Sequence, residues 1–199
     1  MCLRPIRSWR KKRSLRQQIR ALGAQTALLA QDETDLLLFP PLRAGWARRG
    51  EPAPVLISGF NARRTVFGTL NLRTGHTLLL EQKRRRAGEF QEFLELVGWH
   101  YRAWSVALLL DENSIHTAQG SQALAEALGI RLLWLPKRSP HLNPMDHFWR
   151  HGKEVVCANH QYASITVQTQ SFIAYLQSLS PAERLRKAGV FSKDFWLHM

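Results

Sequence analysis

The sequence predicts an α/β domain built on a mixed β-sheet, and two patterns along the chain support that fold class. Short β-rich runs at residues 55–60, 64–72 and 76–82 are separated by turn residues, which is typical of an antiparallel three-strand meander. Two continuously apolar runs, at residues 104–110 and 130–136, enclose a helical segment, which indicates two parallel strands joined by a crossover helix. The predicted fold is one sheet of antiparallel and parallel strands with flanking helices.

Helical periodicity accounts for much of the remaining chain. Phe90, Phe93, Leu94 and Val97 fall on one face of a predicted helix over residues 87–99. Further helices are predicted over residues 143–158, 166–179 and 180–189. The last of these begins with a Ser-Pro-x-Glu capping box, and the first carries proline at its first helical position.

The chain is strongly basic, with 28 Lys and Arg residues against 15 Asp and Glu and a formal net charge of +13. No acid precedes Asp32, and eight basic residues lie within residues 1–20. Apolar residues recur there at helical spacing, so residues 1–26 are predicted to form a basic arm or linker helix outside the core, and residues 27–199 the main domain. This charge favours a polyanionic partner such as nucleic acid, with a solvated basic tail as the alternative.

Composition also restricts the class of protein and its compartment. A chain of 199 residues suits one domain. The chain has only two cysteines, Cys2 and Cys157, which cannot form a disulfide framework, and this favours the cytoplasm. No apolar run approaches the ~20 residues that a membrane-spanning helix needs.

Acidic residues occur where the predicted parallel strands end. Asp111 follows directly after the apolar run at residues 104–110, and an acid within residues 30–35 can approach it laterally from the neighbouring strand. Asp146 lies one turn into the helix that follows the next strand, near the carboxyl ends of the parallel strands, where ligands bind in open α/β sheets. The sequence therefore predicts that three acids converge.

Three converging carboxylates suit phosphoryl transfer between nucleic-acid strands. Two divalent metals about 3.5–4 Å apart can stabilise the attacking and leaving oxygens, and hard cations such as Mg²⁺ need only a few carboxylate ligands. Without metal, such acids would repel one another and raise their pKa values. Each acid also has an ordinary explanation: the first as a solvent-facing edge residue, Asp111 as a turn residue, and Asp146 as a first-turn acid in a helix capped by Asn143.

The segments "LLLDENSIHTA" and "GIRLLWLPKRSPHLNPMDHFWRHGK" resemble the catalytic core of DDE-type transposases, specifically bacterial insertion-sequence enzymes of the mariner-like superfamily. In that family a strand-Asp-Asn-x-x-x-His segment is followed by Leu-Pro-x-x-Ser-Pro-x-Leu-Asn-Pro-x-Glu/Asp at similar spacing. "QDETDLLLFPPLRAGWARRGEPAPV" resembles the family's Asp-Glu strand and its Trp-x-x-x-Gly connection. On that match Asp32 is the first acid.

The resemblance covers residue 27 to the C-terminus and implies a ribonuclease H-like fold. It implies a catalytic and metal-binding triad of Asp32, Asp111 and Asp146 with two Mg²⁺ or Mn²⁺ ions. The implied activity is DNA strand cleavage and strand transfer at transposon ends, in the bacterial cytoplasm in association with the nucleoid. Two alternatives remain: a catalytically degenerate DNA-binding remnant of a transposase, and a ribonuclease H-like nuclease that acts on RNA:DNA hybrids.

Other polar residues near the motifs are candidates for contacts with DNA or with the acids. The basic residues that could contact DNA phosphates are Lys83, Arg84, Arg85, Arg86, Lys137 and Arg138, with a solvated charge run as the alternative. The secondary site candidates are Glu33, Asn113, His116 and Asn143, each of which could equally be a cap or loop residue.

The chain departs from the family pattern at two places. Asp111 is followed by Glu112 and then Asn113, where the family has Asp-Asn. Family members carry helix-turn-helix modules before the catalytic core, whereas 31 residues precede Asp32 here. The expected assembly is a homodimer or a complex with a partner chain that supplies helix-turn-helix modules.

Overall fold

The computed structural model describes residues 5–51 and 54–197, with side chains from residue 10 onward, so Cys2 lies outside the described residues. One five-stranded sheet has the order β3-β2-β1-β4-β5. Its strands are β1 (Thr26–Leu37), β2 (Arg63–Asn71), β3 (Thr77–Gln82), β4 (Ser105–Leu110) and β5 (Ile130–Trp134). The helices are α1 (Pro5–Arg20), α2 (Ala87–His100), α3 (Ser114–Thr117), α4 (Gln119–Ala127), α5 (Pro144–Gly152), α6 (Ile165–Ser178) and α7 (Pro181–Lys187). A 3₁₀ turn (Pro140–Leu142) precedes α5, and a π-helical turn (Lys153–Cys157) follows it.

The strand directions confirm the predicted mixed sheet. β1 pairs antiparallel with β2, and β2 pairs antiparallel with β3. β1 pairs parallel with β4, and β4 pairs parallel with β5. The predicted helices are present, including the capping box at the start of α7. None of the helices within the described residues is long and apolar enough to cross a membrane.

One predicted strand is wrong. Residues 55–60 form no strand and belong to a long connection, in which Leu56 and Phe60 are 88% and 78% exposed. The first strand of the meander is instead β1, which runs without interruption through the acidic stretch. β1 is a central strand, which pairs with β2 through the acidic stretch and with β4 as far as Ala30. Within that stretch Glu33 is buried, so it is not a solvent-facing residue.

Two apolar clusters cover the two faces of the sheet. Even-numbered residues of β1, such as Leu28 and Ala30, pack with α5 and α6. Odd-numbered residues, such as Ala27 and Leu29, pack with α2. Because successive side chains of a strand point to opposite faces, this alternation decides which face each acid of β1 reaches.

The basic segment forms the predicted helix, but the interpretation that it lies outside the core is wrong. Leu15 and Ile19 of α1 are 3% and 4% exposed and belong to the core cluster on the α5 face. Arg16 donates a hydrogen bond to the carbonyl of Trp196, and Lys12 Nζ lies 5.9 Å from the centroid of the Trp196 ring. The apolar stripe of α1 thus joins the core, and its basic side chains contact the C-terminal segment. A domain boundary at residue 27 remains a prediction.

Candidate active site

Strand register brings Asp32 and Asp111 to the same level, just beyond the last paired residues of β1 and β4. β1 and β4 pair through Ala30 and Leu109, so both strands reach an aspartate two residues further along. Strand alternation puts both aspartates on the face of Ala30 and Leu109, which is the face covered by α5. The first two predicted acids therefore share one side of the sheet.

The third acid reaches this site because the start of α5 is fixed to β1. Asn143 caps the helix by accepting a hydrogen bond from the backbone N–H of Met145. The Asn143 amide also donates to the carbonyl of Gln31, at 2.8 Å, next to Asp32 in the chain. Asp146, in the first turn of α5, is thereby held near the first acid. The predicted cap role of Asn143 is confirmed.

The middle of α5 packs closely against β2 at Gly68, where a larger residue would not fit. Gly68 pairs with Asp32 across the β1–β2 ladder. A Cβ atom at Gly68 would lie 2.5 Å from Cη2 of Trp149, which is closer than side chains can pack. The absence of a side chain at this position lets α5 approach the sheet directly behind Asp32.

One cavity of about 460 Å³ contains all three predicted acids in its wall. Two of the predicted basic residues, Lys137 and Arg138, line the same cavity, as do the secondary candidates Asn113 and Asn143. The cavity therefore combines carboxylates with cations at its rim. This is a suitable arrangement for binding a phosphodiester beside metal ions.

Asp32 carries the most strongly perturbed acid group in the cavity. Burial, together with the charges of Glu33, Asp111 and Asp146, raises the pKa of Asp32 to about 8, while a backbone hydrogen bond opposes the increase. The contributions of Asp111 and Asp146 are repulsions between like charges, so the three carboxylates are near enough to interact. A cation bound between them would relieve this repulsion.

Asp111 and Asp146 each have a partner at one side of the cavity. The Asp111 carboxylate lies 2.9 Å from His116 Nδ1, and this hydrogen bond lowers the pKa of Asp111 against the effect of burial. Asp146 Oδ2 lies 2.9 Å from Arg150 one turn along α5. Within the described part of the chain, no three His, Cys, Asp or Glu side chains are arranged to hold a metal ion as they stand.

His116 and Glu33 form a buried ionic pair behind Asp111. Burial lowers the pKa of His116, but hydrogen bonds to Asp111 and Glu33 outweigh it and raise that pKa to about 9. Glu33 also accepts from Arg85, with 3.0 Å between Arg85 Nε and Glu33 Oε1. The ion pair with Glu33 thus holds Arg85 beside the site.

The other predicted polar residues have varied surroundings. Lys83, Arg84 and Arg86 are exposed in the loop between β3 and α2. Asn113 caps α3 by accepting a hydrogen bond from the backbone N–H of Ile115. The roles of all these residues in binding DNA remain predictions.

Sequence reasoning missed two lysines near the acids. Lys11 of α1 lies 3.3 Å from Glu112, which also contacts Lys137 at 3.2 Å, so α1 reaches the rim of the cavity. Burial lowers the pKa of Lys153, against the charges of nearby groups that include Asp32 and Asp146. Lys153 lies two helical turns after Asp146, so helical spacing from that acid could have indicated it. Nothing local in the sequence indicates the contact of Lys11.

A mixed sheet with three carboxylates at the carboxyl ends of its parallel strands is the arrangement expected of a metal-dependent nuclease or strand transferase. Residues 27–168 match the family model described as DDE superfamily endonuclease. The match covers most of the chain, and the protein belongs to this family.

Similar proteins agree with this assignment. The insertion element IS630 uncharacterized 39 kDa protein of Shigella sonnei is 24% identical over 173 residues, which are 86% of this chain and 50% of that protein. The chain thus spans about half the length of this curated relative.

Among solved structures, the Mos1 transposase paired-end complex with left transposon end matches with a TM-score of 0.73 at 16% identity, over 100% of this chain and 63% of that chain. The Mos1 transposase catalytic domain, solved with raltegravir and Mg, matches with a TM-score of 0.66 at 15% identity, over 98% of this chain and 94% of that chain. These likenesses confirm the predicted ribonuclease H-like fold.

Proposed function

We propose that this chain is the catalytic part of a transposase, which cleaves DNA strands at transposon ends and joins them to target DNA with the help of divalent metal ions. One observation carries the proposal: Asp32, Asp111 and Asp146 come from three distant elements and line a single cavity. Membership of the DDE superfamily endonuclease family supports the same activity.

The donor set of the cavity fits Mg²⁺ or Mn²⁺, because these hard cations take carboxylate oxygens and need neither histidine nor cysteine. Asp32, Asp111 and Asp146 would hold the metal, and we propose two ions. The bound ions would stabilise the charge that develops on the attacking and leaving oxygens of the phosphodiester. The raised pKa of Asp32 supports this assignment, since the metal-free site resists ionisation of that carboxyl.

The protein side chains have distinct tasks in this proposal. Asp146 would be available to hold the metal, because its ion pair with Arg150 is solvent-exposed and therefore weak. Asn143 keeps the first turn of α5 attached to β1. Lys137 and Arg138 in the cavity wall bind phosphates of the DNA backbone.

The basic loop between β3 and α2 extends this phosphate-binding surface beyond the cavity. Lys83, Arg84 and Arg86 are exposed there, whereas Arg85 forms an ion pair with the buried Glu33. We expect these three residues to contribute affinity that depends on salt and not on DNA sequence.

We further propose that the chain works as a homodimer or with a partner chain that carries helix-turn-helix modules, in the bacterial cytoplasm at the nucleoid. The connection between β1 and β2 supports an assembly, because it exposes several large apolar side chains. Leu42, Trp46, Leu56 and Phe60 are each more than half exposed. Exposed apolar groups in one segment are typical of a surface that a protein partner covers.

Cleavage of a DNA substrate in Mn²⁺ tests the proposed activity. Asp32→Asn, Asp111→Asn and Asp146→Asn should each abolish cleavage, whereas Asp35→Asn on the same strand, which bonds Thr65 instead, should retain it. Undiminished cleavage in all three site variants would reject the assignment. Metal-independent DNA binding without cleavage would indicate a degenerate remnant, and a preference for RNA:DNA hybrids would indicate a ribonuclease H-like nuclease.

A further inference from the structure

A row of charged side chains in contact with one another leads to Asp111 from the opposite face of the sheet. Glu33 follows Asp32 on β1, and strand alternation turns its side chain to the α2 face, where only 2% of it is exposed. Glu33 Oε1 lies 3.0 Å from Arg85 Nε, and Glu33 Oε2 lies 3.1 Å from His116 Nε2. His116 Nδ1 lies 2.9 Å from Asp111 Oδ1 and 3.1 Å from the Asp111 carbonyl.

Packing fixes the orientation of the imidazole in this chain. The His116 side chain is fully buried, and its ring centroid lies 4.5 Å from that of Phe90. Ser121 donates a hydrogen bond to the carbonyl of Ile115, at 2.8 Å, which attaches the short helix α3 to α4. With both ring nitrogens facing carboxylate oxygens, the ring has one orientation that satisfies all its polar atoms.

The hydrogen bonds to the Asp111 side chain engage only one of its two oxygens. Oδ1 accepts from His116 Nδ1 and from the backbone N–H of Asn113, the latter at 3.1 Å. Among the described residues, no hydrogen-bond partner reaches Oδ2. The carboxylate is thus held by one oxygen, and the other is left for a ligand in the cavity.

We propose that His116 and Glu33, supported by Arg85, are positioning residues that hold the Asp111 carboxylate in the orientation its metal ion requires. This inference rests on the proposed function, since it takes Asp111 as a metal ligand. Side chains that orient a metal ligand from behind affect metal affinity although they do not touch the metal, and their loss typically weakens binding about 10–100-fold.

A purely structural role of the same residues makes a different prediction. A buried glutamate and a buried histidine need each other as partners, so removing either would reduce the stability of the fold. It would not change the affinity of a folded protein for metal. Metal affinity measured on folded variants therefore separates the two roles.

The test measures Mn²⁺ binding to the whole chain without DNA, by calorimetry and by the electron paramagnetic resonance of free Mn²⁺. His116→Leu removes both polar contacts and should weaken binding about 10–100-fold. His116→Asn keeps an amide donor near the position of Nδ1 and should recover part of that loss. Glu33→Gln keeps the shape of the side chain and should weaken binding less than His116→Leu. Asp35→Asn is the matched acid control and should bind as the wild type.

Thermal unfolding of each variant shows whether it is folded. If His116→Leu does not fold, the Mn²⁺ affinities of Glu33→Gln and Arg85→Gln decide between the two roles. Both variants should fold, because the first substitution is isosteric and the second changes a partly exposed side chain. Folded variants that bind Mn²⁺ as tightly as the wild type would overturn the inference. Asp111→Asn separates this result from the proposed function: if that variant also binds Mn²⁺ normally, the metal assignment itself fails.

Discussion

Replacing Asp32 by asparagine should stabilise the metal-free protein at neutral pH, although it removes a proposed metal ligand. Burial and the neighbouring acids raise the pKa of Asp32 from 3.8 to about 8. The folded state then holds a proton that the unfolded state releases, so the free energy of unfolding falls as the pH rises from 3.8 to about 8. One pKa unit corresponds to about 1.4 kcal/mol, so the penalty at pH 7 is at most about 4 kcal/mol. Entry of water into the open cavity reduces it.

Urea denaturation in the presence of a chelator measures this effect. Asp32→Asn should raise the free energy of unfolding at pH 7 by up to about 4 kcal/mol, and the gain should shrink to near zero at pH 4. Mn²⁺ should stabilise the wild type and leave the variant unchanged. Asp35→Asn should show no such gain, because the Asp35 carboxylate has a cationic partner, Arg63 Nε at 3.7 Å, and asparagine can still accept the hydrogen bond from Thr65. A variant less stable than the wild type at pH 7, or a difference independent of pH, would refute the reasoning.

Two further substitutions test the packing and the charge around the site. Gly68→Ala should destabilise the fold by about 1–3 kcal/mol and weaken Mn²⁺ binding, because the new methyl group displaces Trp149 and with it α5. Gly88→Ala is the control in thermal unfolding, because a Cβ atom at Gly88 would have no other atom within 4 Å. Equal destabilisation by the two substitutions would contradict the packing argument. Glu112→Gln should strengthen DNA binding by freeing two lysines, and the slope of log affinity against log salt should steepen by up to about two. DNA-binding titrations at several salt concentrations measure this slope, and Glu126→Gln, which changes an exposed acid, is the control. Identical slopes for Glu112→Gln and the wild type would disprove the prediction.

The sequence was sufficient to predict the elements around two of the three acids. The apolar runs that became β4 and β5, and the capping residues of α5, are local signals, and they put Asp111 and Asp146 at the ends of adjacent elements. Family resemblance then selected Asp32 among the acids of β1. Its inclusion in the same cavity agrees with that choice.

Contacts distant in sequence could not be predicted. The run at residues 55–60 has the composition of a strand, but tertiary pairing uses β1 instead. The bond between Glu33 and His116 joins residues 83 positions apart and depends on the register of β1 with β4, which no local pattern encodes. The burial of Leu15 depends in the same way on a core cluster whose other members come from distant parts of the chain.

The most direct test of the shared metal site is a crystal structure of the protein soaked in Mn²⁺, with anomalous scattering used to locate the ions. We predict anomalous peaks inside the cavity, bonded to carboxylate oxygens of Asp32, Asp111 and Asp146, with Asp146 turned away from Arg150. Peaks confined to other surfaces, with the three carboxylates still apart, would contradict the account.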